Sequence, residues 1–256
     1  WSLDAERAAA GVVTHSSGNH GAALALAART RGIPCHVVVP EGAVAAKLAN
    51  IARHGATLWQ CAPTIAAREA MCAQVQADTG ATLVHPYTDA AVIAGQGTAA
   101  LELLQAEGPF DVLVVPVGGG GLAAGTALAL QQVSPQTRLV LAEPAGAADT
   151  ARSLQAGERR IDFVPDTVCD GLRGTLGAPN FQVLQAAGAE VIVVDDAATV
   201  AAMRLLWQVL KQTVEPSSAI AFAAVLAQPQ RFVGLRVGLV LSGGNVDIDA
   251  LPWSAA

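Results

Sequence analysis

Thr14-His15-Ser16-Ser17-Gly18-Asn19-His20-Gly21 gathers three hydroxyls, two imidazoles and a carboxamide within eight residues. An apolar run, Gly11-Val12-Val13, precedes it, and an alanine-rich helical pattern from Ala22 to Arg29 follows. A strand, a polar glycine-bearing turn and a helix start in that order point backbone N–H groups and small hydroxyls into one space, where an anionic ligand can sit.

A second stretch, Gly118-Gly119-Gly120-Gly121, leaves an apolar run ending at Pro116 and leads into Leu122-Ala123-Ala124. Residues without a Cβ let the backbone close around a tetrahedral anion, and the helix start adds partial positive charge. No Lys-Ser/Thr pair follows, so this is not a nucleoside-triphosphate loop. No ribose-binding acid stands at the expected distance either, so a compact monophosphate fits better than a dinucleotide. Ser242-Gly243-Gly244-Asn245 closes the last apolar run and, by itself, reads as a strand-end turn.

The elements that hold these turns alternate short apolar runs with longer helical patterns. Strands are predicted at Gly11–Val13, Cys35–Val39, Thr57–Gln60, Leu83–His85, Asp111–Pro116, Arg138–Glu143, Val191–Val194 and Arg236–Leu241. Helical patterns fill most of the intervals, among them Ala45–His54, Thr64–Thr79, Ala91–Leu104, Leu122–Gln132, Ala197–Thr213 and Ser217–Ala227. Such alternation predicts parallel βαβ units, an α/β fold of two doubly wound parallel sheets with a cleft between them. Residues 11–88 read as a small domain, and residues 1–10 with 89–256 as a larger one. Residues 145–188 read as a lining segment with short helices.

Composition narrows the class. The net charge is −6 and no lysine- or arginine-rich block occurs, which argues against a nucleic-acid partner. The most apolar stretch, Val112 to Leu130, is broken by Pro116 and four glycines, so no membrane helix is expected there. Cys35, Cys61, Cys72 and Cys169 form no C-x-x-C pair and read as small buried thiols. No signal peptide is apparent, which makes the cytoplasm the expected location.

THSSGNHG resembles the asparagine loop of the serine racemase and serine/threonine dehydratase family, whose cofactor is pyridoxal 5′-phosphate (PLP). VVPVGGGGLAAG resembles that family's phosphate loop, and His85-Pro86-Tyr87 with Val92-Ile93-Ala94-Gly95-Gln96-Gly97-Thr98 resembles its HPY and VIAGQGT blocks. The resemblance implies the tryptophan synthase β-like fold (PLP fold type II) with the cofactor in the cleft. It also implies a homodimer acting on small amino acids. Gly118, Gly119, Gly120, Gly121 and Leu122 would hold the phosphate, Asn19 the 3′ oxygen and Ser242 the pyridine nitrogen. A hydroxyl on that nitrogen makes the ring a weaker electron sink, which suits racemisation and β-elimination over transamination. Gly171, in Asp170-Gly171-Leu172, and Glu215, in Val214-Glu215-Pro216-Ser217, would lie against the cofactor. Taken alone, Glu215 is equally a helix-start acid.

By the same resemblance, Ser16, Ser17, Gly18, Asn19 and His20 would bind the substrate carboxylate. Ser17 stands where racemases of the family carry a second acid/base, so that one face loses and the other gains the Cα proton. The β-hydroxyl leaves instead in a dehydratase, giving keto acid and ammonia. Glu143, Ala147 and Asp149 match an EPxxAxD loop that would hold Mg²⁺, Mn²⁺ or Ca²⁺ through oxygen ligands. Without the resemblance, two acids six residues apart would simply be solvated.

One family residue is missing. The Schiff-base lysine lies in an S-F-K-x-R-G-type motif, and this chain has only Lys47 and Lys211, neither in such a setting. Both read as surface lysines. The chain starts at Trp1, which makes an N-terminally truncated enzyme the first expectation, inactive as it stands. Three alternatives stay open: a threonine dehydratase, a 3-hydroxyaspartate dehydratase without racemase activity, and a lysine-less, non-catalytic PLP- or ligand-binding protein.

Overall fold

A computed structural model of the protein describes residues 3–253, so Trp1 lies outside the described residues. The chain divides after Ala91 into two compact units.

The first unit contains α1 (Ala5–Ala9), β1 (Val12–His15), α2 (Asn19–Arg31), β2 (Cys35–Pro40), α3 (Ala45–Ala52), β3 (Thr57–Cys61), α4 (Ile65–Thr79) and β4 (Thr82–Leu83). Its four strands run parallel in the order β3-β2-β1-β4. Both faces of the sheet are buried. Val12, Val37 and Val39 pack with Ala25, Ala28 and Ile51 on one side. Val13 and Val38 pack with Cys72 and Val75 on the other. Side chains alternate along a strand, so a sheet covered by helices on both faces needs continuous rather than alternating apolar runs. The sequence assigns residues 1–10 to the larger domain. Here Leu3 packs with the first unit's core, and its carbonyl accepts from the Arg31 guanidinium at 2.6 Å.

The second unit follows from α5 (Ala90–Glu107) through β5 (Val112–Pro116), α6 (Gly121–Val133), β6 (Arg138–Pro144) and α7 (Asp149–Ala156). It continues with α8 (Ala178–Ala186), β7 (Glu190–Val194), α9 (Asp196–Leu210), α10 (Pro216–Ala227) and β8 (Val237–Leu239). Its strands are parallel in the order β7-β6-β5-β8. Val112 and Val114 enter one core with Ile220 and Ala224, while Leu113 and Val115 enter another with Leu130 and Leu184. This is the doubly wound α/β class that the alternation predicts. At the crossing of α5 and α6, a Cβ on Gly97 would stand 2.6 Å from the Gly125 carbonyl oxygen, so the two backbones meet only because both residues are glycine.

Two edge strands are shorter than expected. β4 stops at Leu83 because His85 turns into a local cap, its Nδ1 accepting from the Tyr87 and Thr88 amides at 3.4 and 3.2 Å. β8 pairs on one side only and spans Val237–Leu239. α9 ends at Leu210 rather than Thr213, where Lys211 takes the left-handed conformation at φ 57°. All four cysteines are buried and free. Among the described residues, no helix is long and apolar enough to cross a membrane.

Candidate functional site

In the first unit, Ser16 to Gly18 bridge the end of β1 and the start of α2. Gly18 is the N-cap residue and offers no side chain to the helix's first amides. Those amides are a natural anion seat. The Ser16 hydroxyl accepts from the Gly18 amide at 3.4 Å. Ser17 is half-buried, and its hydroxyl has no hydrogen-bond partner among the described residues. Asn19 is exposed and already engaged in a polar interaction.

Three histidines gather beside this turn. The His15 and His85 rings meet edge to face at 5.0 Å, and His85 meets Tyr87 the same way at 4.6 Å. His20 Nε2 lies 3.3 Å from the Val84 carbonyl. Burial pushes the His15 imidazole down to about 4, helped by His85, Arg68 and His20. Burial likewise takes His20 to about 4. Both rings are therefore neutral near pH 7, and the turn offers dipoles and hydroxyls rather than fixed positive charge.

In the second unit, the glycine loop follows β5 and opens α6. Gly120 has φ +89°, and a Cβ there would stand 2.9 Å from Asn180 Cβ. A Cβ on Gly118 would stand 2.7 Å from Leu172 Cα. The Gly119 carbonyl is tied from outside, accepting from the Gly177 amide at 3.0 Å and Asn180 Nδ2 at 2.6 Å. Among the described residues, the amides of Gly118, Gly119, Gly120, Gly121 and Leu122 donate to no protein acceptor. A Gly119 carbonyl held outward and amides left unspent at a helix start form a cup that suits a phosphate.

Other motifs singled out from sequence converge on this cup. Leu172 lies against Gly118, and the neighbouring Gly171 amide donates to Ser217 Oγ at 3.0 Å. Two residues before Ser217, the buried Glu215 is the N-cap residue of α10, and its amide donates to the Gly243 carbonyl at 3.1 Å. Ser242 and Gly244 flank that carbonyl; a Cβ on Gly244 would stand 2.3 Å from the Thr213 oxygen. Segments far apart in sequence thus form one continuous rim.

Glu143 and Asp149 are both fully buried, not solvated. The Glu143 carboxylate accepts from the Thr150 and Ala151 amides at 2.7 and 2.8 Å, capping α7. Asp149 Oδ2 accepts from the Leu176 amide at 2.7 Å, while its Oδ1 is buried with no partner. Ala147 is buried in the turn between them. Burial raises Glu143 to about 7 and Asp149 to about 6, against the pull of those amides. Among the described residues, no three His, Cys, Asp or Glu side chains assemble as a metal cluster. What remains is two carboxylates, one of them with an unpartnered oxygen, and the Ala147 backbone between them, a donor set that fits a hard cation completing its shell with water.

Sequence reading missed the residues that brace the cup. Asn180 reaches Gly119 across 61 positions, a contact no local pattern encodes. Gly177-Ala178-Pro179 before it carried only the signature of a helix start. It also misplaced Lys47, which is 7% exposed and engaged rather than a surface residue. Lys47 shares a helix face with fully buried Ile51, four residues on. Lys211 is exposed as expected, its Nζ donating to the Gln208 carbonyl at 2.5 Å.

Comparison with known proteins adds an independent view. The family described as "Pyridoxal-phosphate dependent enzyme" matches residues 1–243. A β-hydroxyaspartate dehydratase from Paracoccus denitrificans (strain Pd 1222) is 46% identical over 254 residues, covering 99% of this chain and 81% of the relative. A serine racemase from Arabidopsis thaliana is 45% identical over 259 residues, covering 99% of this chain and 78% of the relative. The solved structure of maize serine racemase superposes with a TM-score of 0.93 at 44% identity, covering 98% of this chain and 78% of that one.

Proposed function

The chain belongs to the family of pyridoxal-phosphate dependent enzymes, and from that premise we propose that it serves racemisation and β-elimination of small β-hydroxy amino acids. Serine and 3-hydroxyaspartate are the leading substrates, after the relatives' activities. The observation that carries the reading is the braced glycine cup with its unspent amides, at the start of α6.

When bound, PLP supplies an electron sink for the charge left by Cα deprotonation. The cup residues Gly118 to Leu122 hold the phosphate through their N–H groups. Ser242 offers a hydroxyl to the pyridine nitrogen, Asn19 a carboxamide to the 3′ oxygen, and Gly171 and Glu215 flank the ring. Ser16, Gly18, Asn19 and His20 bind the substrate carboxylate with neutral donors, in line with the depressed His20. Ser17 moves a proton at Cα, because its hydroxyl is uncommitted among the described residues. Glu143, the Ala147 carbonyl and Asp149 hold a structural Mg²⁺, or Mn²⁺ or Ca²⁺. The working protein is a cytoplasmic homodimer.

Lys47 is buried and engaged and Lys211 is exposed at a helix end, so neither is assigned the covalent role. These 256 residues therefore hold PLP non-covalently and turn over little on their own. The test is PLP titration by fluorescence with inorganic phosphate as competitor, then borohydride reduction and peptide mapping. Saturable, phosphate-competed binding without a lysine adduct is expected. Failure of phosphate to compete would sink the assignment of the cup, and rapid D-serine or pyruvate formation by this chain would sink the inactivity.

A further inference from the structure

The second unit contains a cavity of about 510 Å³ that the proposed chemistry does not use. It lies between the C-terminal halves of α6 and α8, lined by Leu130, Val183 and Leu139 among others. The glycine cup opens α6, so the cavity sits toward the other end of a 13-residue helix. That helix is about 20 Å long.

The cavity lining carries one arginine, Arg138, and one glutamate, Glu190. Glu190 is shared by two guanidinium groups, those of Arg138 and Arg231. Arg231 holds it at the closer distance, while Arg138 stands 3.4 Å away and is half exposed. Within the cavity lining Arg138 faces Glu190, and Arg231, outside it, shares that carboxylate, so Arg138 is only partly neutralised. A guanidinium beside an aliphatic wall recognises a carboxylate on an apolar body.

We propose that this cavity is a second small-molecule site, which takes a short-chain aliphatic carboxylate on Arg138 and communicates with the phosphate cup through α8. The path is short. Asn180, on the first turn of α8, donates to the Gly119 carbonyl at 2.6 Å. Val183 and Ala187 follow it three and seven residues on and line the cavity, placing brace and binding wall on one helix face. A ligand that moves α8 against α6 changes the fit of Asn180 on the cup. This coupling rests on the phosphate assignment above; binding in the cavity does not.

The test uses the 256-residue chain with isovalerate as probe and isovaleramide as its uncharged counterpart, both titrated by NMR. Isovalerate should shift resonances of cavity residues, and isovaleramide should bind at least about tenfold more weakly for want of the charge-assisted contact. Arg138→Gln should weaken isovalerate to the same degree, and Ala186→Trp, which fills the cavity, should abolish binding. Both variants are checked by thermal melting, and Arg138→Gln alone decides if the tryptophan variant fails to fold. No isovalerate binding, or equal binding by wild type and Arg138→Gln, overturns the site. Saturating isovalerate should shift PLP affinity by about fivefold, the low end of typical coupling; an unchanged affinity overturns the communication. Absence of any PLP binding refutes the cup instead, and leaves the isovalerate titration to decide the site by itself.

Discussion

Glu143 and Asp149 give the sharpest test of the buried acid pair. Glu143 is fully buried, and its carboxyl is raised from 4.5 to about 7, first by burial. Its charged form is then about 3 kcal/mol less favourable in the folded chain than in the unfolded one. The folded value lies above the unfolded value, so the stabilising contribution is complete below about pH 4.5 and disappears as pH rises through about 7. Asp149, raised from 3.8 to about 6, acts in the same sense over a slightly lower range. The two acids interact, so the titration belongs to the pair, and about 3 kcal/mol for the first ionisation is the useful figure. Urea unfolding in chelator should therefore show stability falling between about pH 4 and about pH 7. Glu143→Gln should remove roughly half of that fall, because Asp149 still titrates while a neutral amide still accepts one of the two α7 amides. Mg²⁺ should restore wild type at about pH 8, do little at about pH 5, and leave Glu143→Gln largely unchanged. An identical slope in Glu143→Gln and wild type would refute the burial argument. Equal Mg²⁺ stabilisation at both pH values would refute binding to the ionised pair.

Gly120→Ala should destabilise by about 2–3 kcal/mol, from left-handed strain and contact with Asn180, and weaken PLP more than about tenfold; urea melts and fluorescence titration read the two effects. Asn180→Ala leaves the Gly119 carbonyl one donor short, and should cost about 1–2 kcal/mol while raising the PLP dissociation constant with little change in far-UV circular dichroism. Gly97→Ala, 2.6 Å from the Gly125 carbonyl, should cost about 1–3 kcal/mol in thermal stability by forcing α5 from α6. In whatever serine turnover the protein shows, Ser17→Ala should lower D-serine relative to pyruvate, measured by chiral chromatography; an unchanged ratio removes Ser17 from the proton path.

The two turns proposed to seat anions were legible as strand–turn–helix junctions because their information is local. Thr14–Gly21 and Gly118–Gly121 each sit between an apolar run and a helical pattern, and that order alone fixes amides at a helix start. The doubly wound architecture was legible for a related reason: Val37 to Val39 and Val112 to Val115 are apolar without alternation, as parallel strands buried on both faces require. What failed to show was decided by partners. His85 reads as a strand residue until its Nδ1 is seen capping Tyr87 and Thr88. Lys47 reads as solvent-facing until Ile51 shows which side of α3 is covered.

The cup makes the same point in energetic terms. Four glycines permit a phosphate-binding conformation, but they permit many others, and each glycine adds unfolded-chain entropy that folding must overcome. The choice among those conformations is made by neighbours: Leu172 behind Gly118, Asn180 and Gly177 on the Gly119 carbonyl, and Asn180 again beneath Gly120. Leu176, beside Gly177, is in turn held by Asp149, so the acid pair and the cup are two ends of one short hydrogen-bonded path. Relaxing Asp149 should therefore be felt at Gly119 without any change in the loop's own sequence. The glycines supply the freedom, and the segment from Leu172 to Asn180 removes it in the one geometry that leaves the amides unspent.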